Sequence, residues 1–142
     1  MPFCHLYYHF VWATYDRLPL ITPKRETSLY SFIRLKTKEL GGTIHAVGGI
    51  VDHVHVIAEI PASLAIADYI KQLKGSSSRY LNVTHPILDA KFKWQHEYAA
   101  FSLSKRNLAI AITYVESQPQ HHAAQTTIAT LEPDAFSPSR RP

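Results

Sequence analysis

The stretch GGIVDHVHVIAEI, Gly48–Ile60, decides the fold prediction and raises the first question about function. With the preceding run TIHAVGGIV it forms two apolar segments that meet around Asp52, which predicts two adjacent strands or one long bent strand. The Gly-Gly pair between them relaxes the backbone. Residues two apart in a strand point to the same face, so His53 and His55 project side by side. That placement suits two nitrogen ligands on one metal ion.

The segments on either side predict an ordered series of strands and helices. FCHLYYHFVWAT (residues 3–14) is rich in aromatic and β-branched residues and predicts a strand. Helices are predicted after the capping residues Thr22, Ser63 and Ser104, and FKWQHEYAAFSLS (92–104) predicts a strand before the last helix. This order predicts an α+β, ferredoxin-like split βαβ fold. It has an antiparallel sheet, helices on one face and an extra C-terminal helix.

Length and composition favour a single domain. The 142 residues are 46% hydrophobic and 18% charged, which is typical of one folded domain. We place it at residues 1–122 and expect residues 123–142, rich in Ala, Thr, Ser and Pro, to form a flexible tail. Cys4 is the only cysteine, which excludes an internal disulfide and a thiolate metal cluster. With no signal peptide or membrane-length apolar run, we expect a cytoplasmic protein without a membrane partner.

A second group of candidates lies in ITYVESQPQHH, residues 112–122. On a helix, Tyr114 and Gln118 are four residues apart and therefore lie on one face. A glutamine carbonyl and two imidazoles would leave positions open on a Mg²⁺ or Mn²⁺ ion for phosphate oxygens. Tyr114 then has a role as a nucleophile that attacks a phosphodiester, forms a phosphotyrosine bond and expels a sugar hydroxyl. Because a free phenol has a pKa of about 10, the ion or a neighbouring base must assist its deprotonation.

Taken singly, these patterns also have ordinary structural explanations. In a chain with nine histidines, about half a chance H-x-H pair is expected, and His53 and His55 can be hydrogen-bonded residues of a half-buried strand. Tyr114 can be a core aromatic residue and Gln118 a solvated helix residue. Asp52 either orients an imidazole or ends the turn between strands. The residues alone leave these alternatives open.

The combined pattern resembles the single-tyrosine HUH transposases of small bacterial insertion sequences (insertion-sequence 200-like) and the REP-associated tyrosine transposases. Five segments between Tyr8 and His122 carry the resemblance, in the same order and spacing. They are HFVWATYDRLPLIT, DHVHVIAEIP, IKQLKGSSSRYLN, FKWQHEYAAFSLS and YVESQPQHH. The resemblance implies a transposase that binds hairpin and single-stranded DNA and cleaves and rejoins it.

The same resemblance implies a role for each candidate residue. His53 and His55 would bind the metal ion, with Gln118 as the third protein ligand. Tyr114, on the C-terminal helix, would form a 5′-phosphotyrosine bond with single-stranded DNA, without a nucleotide cofactor. A homodimer is also implied, in which the tyrosine helix of one chain can serve the histidines of the other, although some REP-associated relatives act as monomers.

Basic residues near the second predicted helix are the candidates for DNA contacts. The formal charge of +4 favours an anionic partner, but this small excess is also common in proteins that bind no nucleic acid. Hydroxyl and basic side chains around GSSS suit phosphate contacts; the candidates are Lys71, Lys74, Ser76, Ser77, Arg79 and Tyr80. A wider set comprises Lys91, Lys93, Lys105 and Arg106, with Trp94 or Tyr98 to stack an unpaired base. The alternatives are solvated basic residues and a core tryptophan.

Some positions depart from the family pattern. Glu97 and Ala99 stand where the family has glycine, and a carboxylate beside a DNA path would repel phosphate. Pro119 disfavours helical geometry at Gln118, so we expect the last helix to kink or end there. His121–His122 matches the family's terminal double histidine, with no role assigned. These departures motivate an alternative function, a domesticated or inactive protein that binds hairpin DNA without cleaving it. A metal-dependent hydrolase is less favoured, because no carboxylate pair accompanies the histidines.

Overall fold

A computed structural model describes residues 3–119 of the chain and confirms the predicted order of strands and helices. The strands are β1 (Tyr7–Ala13), β2 (Thr43–Ile50), β3 (His53–Glu59) and β4 (Ala99–Leu103). The helices are α1 (Pro23–Glu39), α2 (Ile66–Thr84) and α3 (Lys105–Glu116), and a short 3₁₀ turn covers Tyr15–Arg17. The predicted tail and His121–His122 lie outside the described residues. Within residues 3–119, no helix is long and apolar enough to cross a membrane.

The four strands form one antiparallel sheet in the order β2-β3-β1-β4. This is the strand order of the predicted ferredoxin-like fold, in which the two central strands come from different βαβ halves. The registers of the β1–β3 and β2–β3 pairs place Val11 and Gly48 on either side of His55. The centre of the sheet therefore surrounds the histidine pair.

The two faces of the sheet are covered by different helices. Phe10, Trp12, Val54 and Val56 form the main core with α1 and α2, and they are all fully buried. The alternate residues of the same strands point the other way, where Ile57 packs with residues of α3 in a smaller apolar cluster. Because both faces are covered, all residues from His53 to Ala58 are buried. A strand buried on both sides is the setting in which a histidine pair is least expected.

The helix starts were predicted correctly in two cases of three. The hydroxyls of Thr22 and Ser104 accept hydrogen bonds from the backbone N–H three residues later, at 3.3 and 3.2 Å. These bonds satisfy N–H groups that have no partner within the helix. The prediction that Ser63 caps α2 is wrong, because α2 begins at Ile66 after Ala65 and no side chain caps it.

The strand predicted over residues 92–104 exists only in its second half. β4 begins at Ala99, and before it the chain meets the end of β1 at an isolated bridge between Trp94 and Thr14, where the N–H of Gln95 donates to the Ala13 carbonyl at 2.9 Å. Side chains of α2 use the backbone groups of this segment instead. Asn82 accepts a hydrogen bond from one of its N–H groups at 2.7 Å, and the Lys74 ammonium donates to two of its carbonyls at 2.6 and 2.7 Å.

Candidate active site

The histidine pair lies on the face of β3 that α3 covers. The rings of His53 and His55 have centroids 5.1 Å apart, and the two residues are 1% and 0% exposed. The period of a β-strand brings them together, as the sequence predicted.

A glycine lets α3 approach the strands that carry this pair. Gly48 pairs with His55 across β2 and β3, and a Cβ atom at Gly48 would overlap the backbone carbonyl oxygen of Val115 on α3. The backbone of Gly48 has no positive φ, so a close approach, and not conformational freedom, requires glycine here. The result is that α3 rests directly on the sheet next to the imidazoles.

Tyr114 joins the histidines from α3. Its ring meets that of His55 edge to face, with centroids 5.9 Å apart, and only 4% of the residue is exposed. The tyrosine and the imidazoles that the sequence singled out therefore belong to one cluster within one chain.

Gln118 reaches the same cluster from beyond the end of α3. α3 ends at Glu116, Ser117 forms a turn, and helical backbone resumes at Gln118 and Pro119, which confirms the prediction that the helix is interrupted near Gln118. The side-chain N–H of Gln118 donates to the carbonyl of Tyr114 at 3.4 Å, and this bond points the amide oxygen towards His53 Nε2, also at 3.4 Å. Gln118 is fully buried, so its expected position as a solvated residue is excluded.

Asp52 both closes the turn between β2 and β3 and orients a histidine. Its backbone carbonyl accepts from the N–H of Thr14 at 2.9 Å, while its carboxylate accepts from His53 Nδ1 at 2.9 Å and Arg17 Nε at 3.3 Å. Burial would raise the pKa of Asp52, but the hydrogen bond from His53 and the charge of Arg17 outweigh it and lower this pKa. A proton held on Nδ1 leaves the lone pair of a neutral His53 on Nε2, which points at Gln118.

The donor atoms fit a hard divalent cation. Nε2 of His53 lies 3.4 Å from the carbonyl oxygen of Gln118, and with the proton of a neutral His53 on Nδ1 one cation could bind both atoms. Adjacent ligands at about 2.1 Å from an octahedral ion lie about 3 Å apart, close to this separation. Among residues 3–119, no group of three or more His, Cys, Asp or Glu side chains could hold a metal ion. The amide oxygen of Gln118 is the oxygen donor that lies beside the histidine pair, and its role as a third metal ligand stays a prediction.

One residue that touches this cluster was missed by the sequence analysis. His9 on β1 is fully buried, and its Nε2 lies 2.8 Å from Nδ1 of His55. A single histidine in an aromatic strand carries no signal of its own. Only the pairing of β1 with β3, two segments far apart in the chain, brings the two rings together.

The predicted DNA-binding residues lie elsewhere, on the α2 side of the sheet. A groove of about 950 Å³ runs between α2 and residues 91–98. Its basic lining residues are Lys71, Lys74, Arg79, Lys91 and Lys93, and Trp94 and Tyr98 also contribute to its wall. The groove gathers basic residues from two segments that are separate in sequence.

Four of the predicted contacts have structural partners within the chain. Besides donating to two carbonyls, Lys74 is partly buried, which lowers its pKa to about 8. Ser77 is 1% exposed and its oxygen accepts from the indole N–H of Trp94 at 2.9 Å, so neither is available to DNA. Tyr80 stacks on Phe32 with centroids 4.9 Å apart. The Ser76 hydroxyl donates to the Gln72 carbonyl at 2.5 Å, which leaves Lys71 and Arg79 as the predicted residues with exposed basic side chains.

Comparison with known proteins supplies the family. The family model described as "Transposase IS200 like" matches residues 3–118. The chain belongs to the IS200-like transposase family. Among curated relatives of this family, the ISDra2 transposase TnpA of Deinococcus radiodurans is 28% identical over 117 residues, which cover 80% of this chain and 84% of that protein.

Two solved structures share the fold of this IS200-like family member. A protein from Deinococcus radiodurans R1 that was assigned as a transposase has a TM-score of 0.67 and 25% identity, over 82% of this chain and 93% of that one. A REP-associated tyrosine transposase bound to a REP hairpin has a TM-score of 0.65 and 13% identity, over 86% of this chain and 72% of that one. The second likeness establishes the fold alone.

Proposed function

We propose that this family member is a transposase that cleaves and rejoins single-stranded DNA through a covalent bond to Tyr114. The observation that carries the proposal is the packing of the Tyr114 ring against His55, within a cluster that also holds His53 and Gln118. Family membership supports transposition, and the cluster supports the mechanism because it holds a phenol beside two imidazoles and an amide, groups that would serve as nucleophile and cation ligands. Its place in the cell would be the cytoplasm, where the DNA is.

The reaction needs only a phenol, a phosphodiester and a proton acceptor. The hydroxyl oxygen of Tyr114 attacks phosphorus and gives up its proton to a base or water. A bond forms between that oxygen and phosphorus, the bond to the 3′ oxygen of the neighbouring nucleotide breaks, and that oxygen leaves as a 3′ hydroxyl after taking a proton. Attack by another 3′ hydroxyl reverses these changes and rejoins DNA, so no nucleotide cofactor is required.

The predicted cofactor is Mg²⁺ or Mn²⁺, held by His53, His55 and Gln118. Such an ion would neutralise phosphoryl charge and favour ionisation of a nearby phenol. The two imidazoles offer nitrogen and the amide offers oxygen, a set that these ions accept while keeping further positions for phosphate.

Burial of the nucleophile sets a condition on this mechanism. Tyr114 and both imidazoles are at most 4% exposed, so a phosphate reaches them only if α3 moves away from the sheet. The predicted homodimer would meet this condition if two chains exchanged their tyrosine helices. The same burial supports the alternative function, a hairpin-binding protein that does not cleave.

A covalent-capture experiment tests the proposal. Wild-type protein incubated with a 3′-labelled hairpin oligonucleotide that carries a single-stranded flank should form a labelled protein adduct with Mg²⁺ or Mn²⁺, and none in EDTA. Tyr114→Phe should abolish the adduct, while Tyr30→Phe, at a tyrosine of α1 on the opposite face of the sheet, should keep it.

The outcomes separate the candidate functions. An adduct that survives Tyr114→Phe would refute the assigned nucleophile. Hairpin affinity in EDTA without an adduct under either metal would support the binding protein. Turnover that persists in Tyr114→Phe with release of free ends would support a metal-dependent hydrolase.

The groove beside α2 is the proposed contact with the DNA backbone. A protein whose fold resembles this one was solved with a hairpin bound, and here the groove concentrates positive charge. Replacing Lys71 or Arg79 by Gln should weaken hairpin binding at all sequences and reduce the slope of log K against log salt by about 1. Lys38→Gln, at an exposed residue of α1 outside the groove, should leave the slope unchanged.

A further inference from the structure

We propose that His9 is a positioning residue that fixes the protonation of His55 and so presents Nε2 of His55 as a metal ligand. The inference rests on the proposed metal site and adds a residue that the ligand set does not include. It begins from the 2.8 Å contact between Nε2 of His9 and Nδ1 of His55, which joins two fully buried side chains on neighbouring strands.

A contact of this length between two neutral imidazole nitrogens holds one proton. Either His55 donates from Nδ1 and keeps its lone pair on Nε2, or His9 donates and the proton of His55 moves to Nε2. Only the first arrangement leaves His55 able to bind a metal ion through Nε2. The contact with His9 uses the other nitrogen, so His9 fits as the acceptor that selects this tautomer.

The two histidines of the pair are then held in the same way by different groups. Asp52 accepts from Nδ1 of His53 at 2.9 Å, and Nε2 of His9 lies 2.8 Å from Nδ1 of His55, where it would accept in the proposed tautomer. The carboxylate of Asp52 lies near the surface, with 21% of its side chain exposed, and pairs with Arg17. His9 is fully enclosed, where a neutral acceptor avoids the cost of a buried charge.

The surroundings of His9 fix its ring in place. It lies on β1 in the centre of the sheet, and the ring of Phe101 on β4 packs at a centroid distance of 6.1 Å. The His9 and His55 rings are 5.0 Å apart with planes inclined at 42°. A ring held between two strands in this way has little freedom to turn its nitrogen away from His55.

The tautomer can be read directly in the metal-free protein. In ¹⁵N-histidine-labelled full-length protein, long-range ¹H–¹⁵N spectra should show His55 protonated on Nδ1 and bare on Nε2. His9→Phe keeps a ring of similar size but removes the acceptor, and it should shift His55 towards the Nε2-protonated form. His9→Gln keeps an acceptor oxygen and should retain the wild-type form.

Metal affinity provides the second readout, with Mn²⁺ alone and no DNA. His9→Phe should weaken Mn²⁺ binding about 10- to 100-fold in calorimetry, and His9→Gln should restore most of it. Wild-type affinity in His9→Phe, or a wild-type His55 protonated on Nε2, would overturn the proposal. These measurements stand apart from the adduct assay. If the wild-type protein binds Mn²⁺ and shows the expected tautomer of His55 but forms no adduct, the assignment of Tyr114 as the nucleophile fails and that of His9 stands.

Discussion

The two faces of the sheet are buried to the same extent but are built from opposite chemistry. On β1 and β3, Phe10, Trp12 and Val54 face α1 and α2, while His9 and His55 face α3, and all of them are fully buried. The first face excludes water with apolar groups. The second encloses imidazoles and an amide that are each tied to another polar group.

The difference indicates which face serves stability and which serves chemistry. Burying an apolar side chain contributes about 1.5–3 kcal/mol, whereas a buried polar group costs free energy unless it is hydrogen-bonded. The polar cluster on the α3 side thus gives little net stability for the volume that it occupies. The proposed reaction would give this cluster a purpose, because it needs metal ligands and a nucleophile held away from bulk water.

Adjacent substitutions on β1 test this division most strongly. Phe10→Ala removes a ring that packs against Tyr69, and it should lower the free energy of unfolding by about 3–5 kcal/mol. His9→Gln, one residue away on the opposite face, should change it by less than about 1 kcal/mol because a hydrogen bond can be kept. Urea unfolding measures both. Equal losses of unfolding free energy in the two variants would show that the α3 face contributes as much to stability as the apolar face.

A pair of glycine substitutions tests the contact between α3 and the sheet. Gly48→Ala forces a methyl group against the Val115 carbonyl, and it should cost about 1–3 kcal/mol and weaken Mn²⁺ binding. Gly75→Ala, in the middle of α2 with nothing within 4 Å of the added carbon, should instead stabilise by about 0.5–1 kcal/mol. Thermal unfolding and Mn²⁺ titration of both variants provide the measurement. Unchanged Mn²⁺ affinity in Gly48→Ala would show that Mn²⁺ binding does not depend on the close packing of α3 against the sheet.

The smallest effect on stability is expected from Lys74 on α2, whose ammonium bonds to the carbonyls of Gln95 and Glu97. Burial disfavours its charged form and lowers its pKa to about 8 from an ordinary 10.5. Between these values the unfolded chain holds more of this proton, so the free energy of unfolding should rise with pH across that window. The gain should be below about 1 kcal/mol, because the side chain is partly exposed to solvent.

Lys74→Met provides the comparison for this effect. The stability of wild type relative to the variant should increase between about pH 7.5 and pH 9.5, which stays below the ionisation of ordinary tyrosines. Chemical unfolding at the two pH values measures it. If the stability of wild type relative to the variant stays constant or falls with pH, burial does not lower the pKa of Lys74 in the folded protein.

Local sequence patterns predicted much of the fold. The alternation in β3 gave the common face of His53 and His55, and the capping residues Thr22 and Ser104 gave two helix starts. The start of α2 was predicted wrongly because a capping residue type at Ser63 proved to lie in the preceding turn. The start of β4 was predicted wrongly because residues 92–98 bond to side chains of α2, which no local pattern reveals.

The site was predictable only in part, for the same reason. Tyr114 and Gln118 are close in sequence, so their adjacency followed from helix geometry. The contact of His9 with His55 and the seating of α3 on Gly48 depend on pairing between distant strands. The partners of Lys74 and Ser77 also lie across the groove, which is why both seemed open to DNA. These features of the site depend on contacts between residues that are distant in the sequence, so local sequence patterns could not predict them.

The alternation within β3 also ties the position of the histidine pair to the correct strand register. A slip of one residue against β1 would turn both imidazoles into the apolar layer and leave Val54 and Val56 facing α3. A mispaired molecule would be unstable and would also lack its nitrogen ligands. The strand register that builds the apolar core is therefore also the register that brings both imidazoles to the α3 side of the sheet.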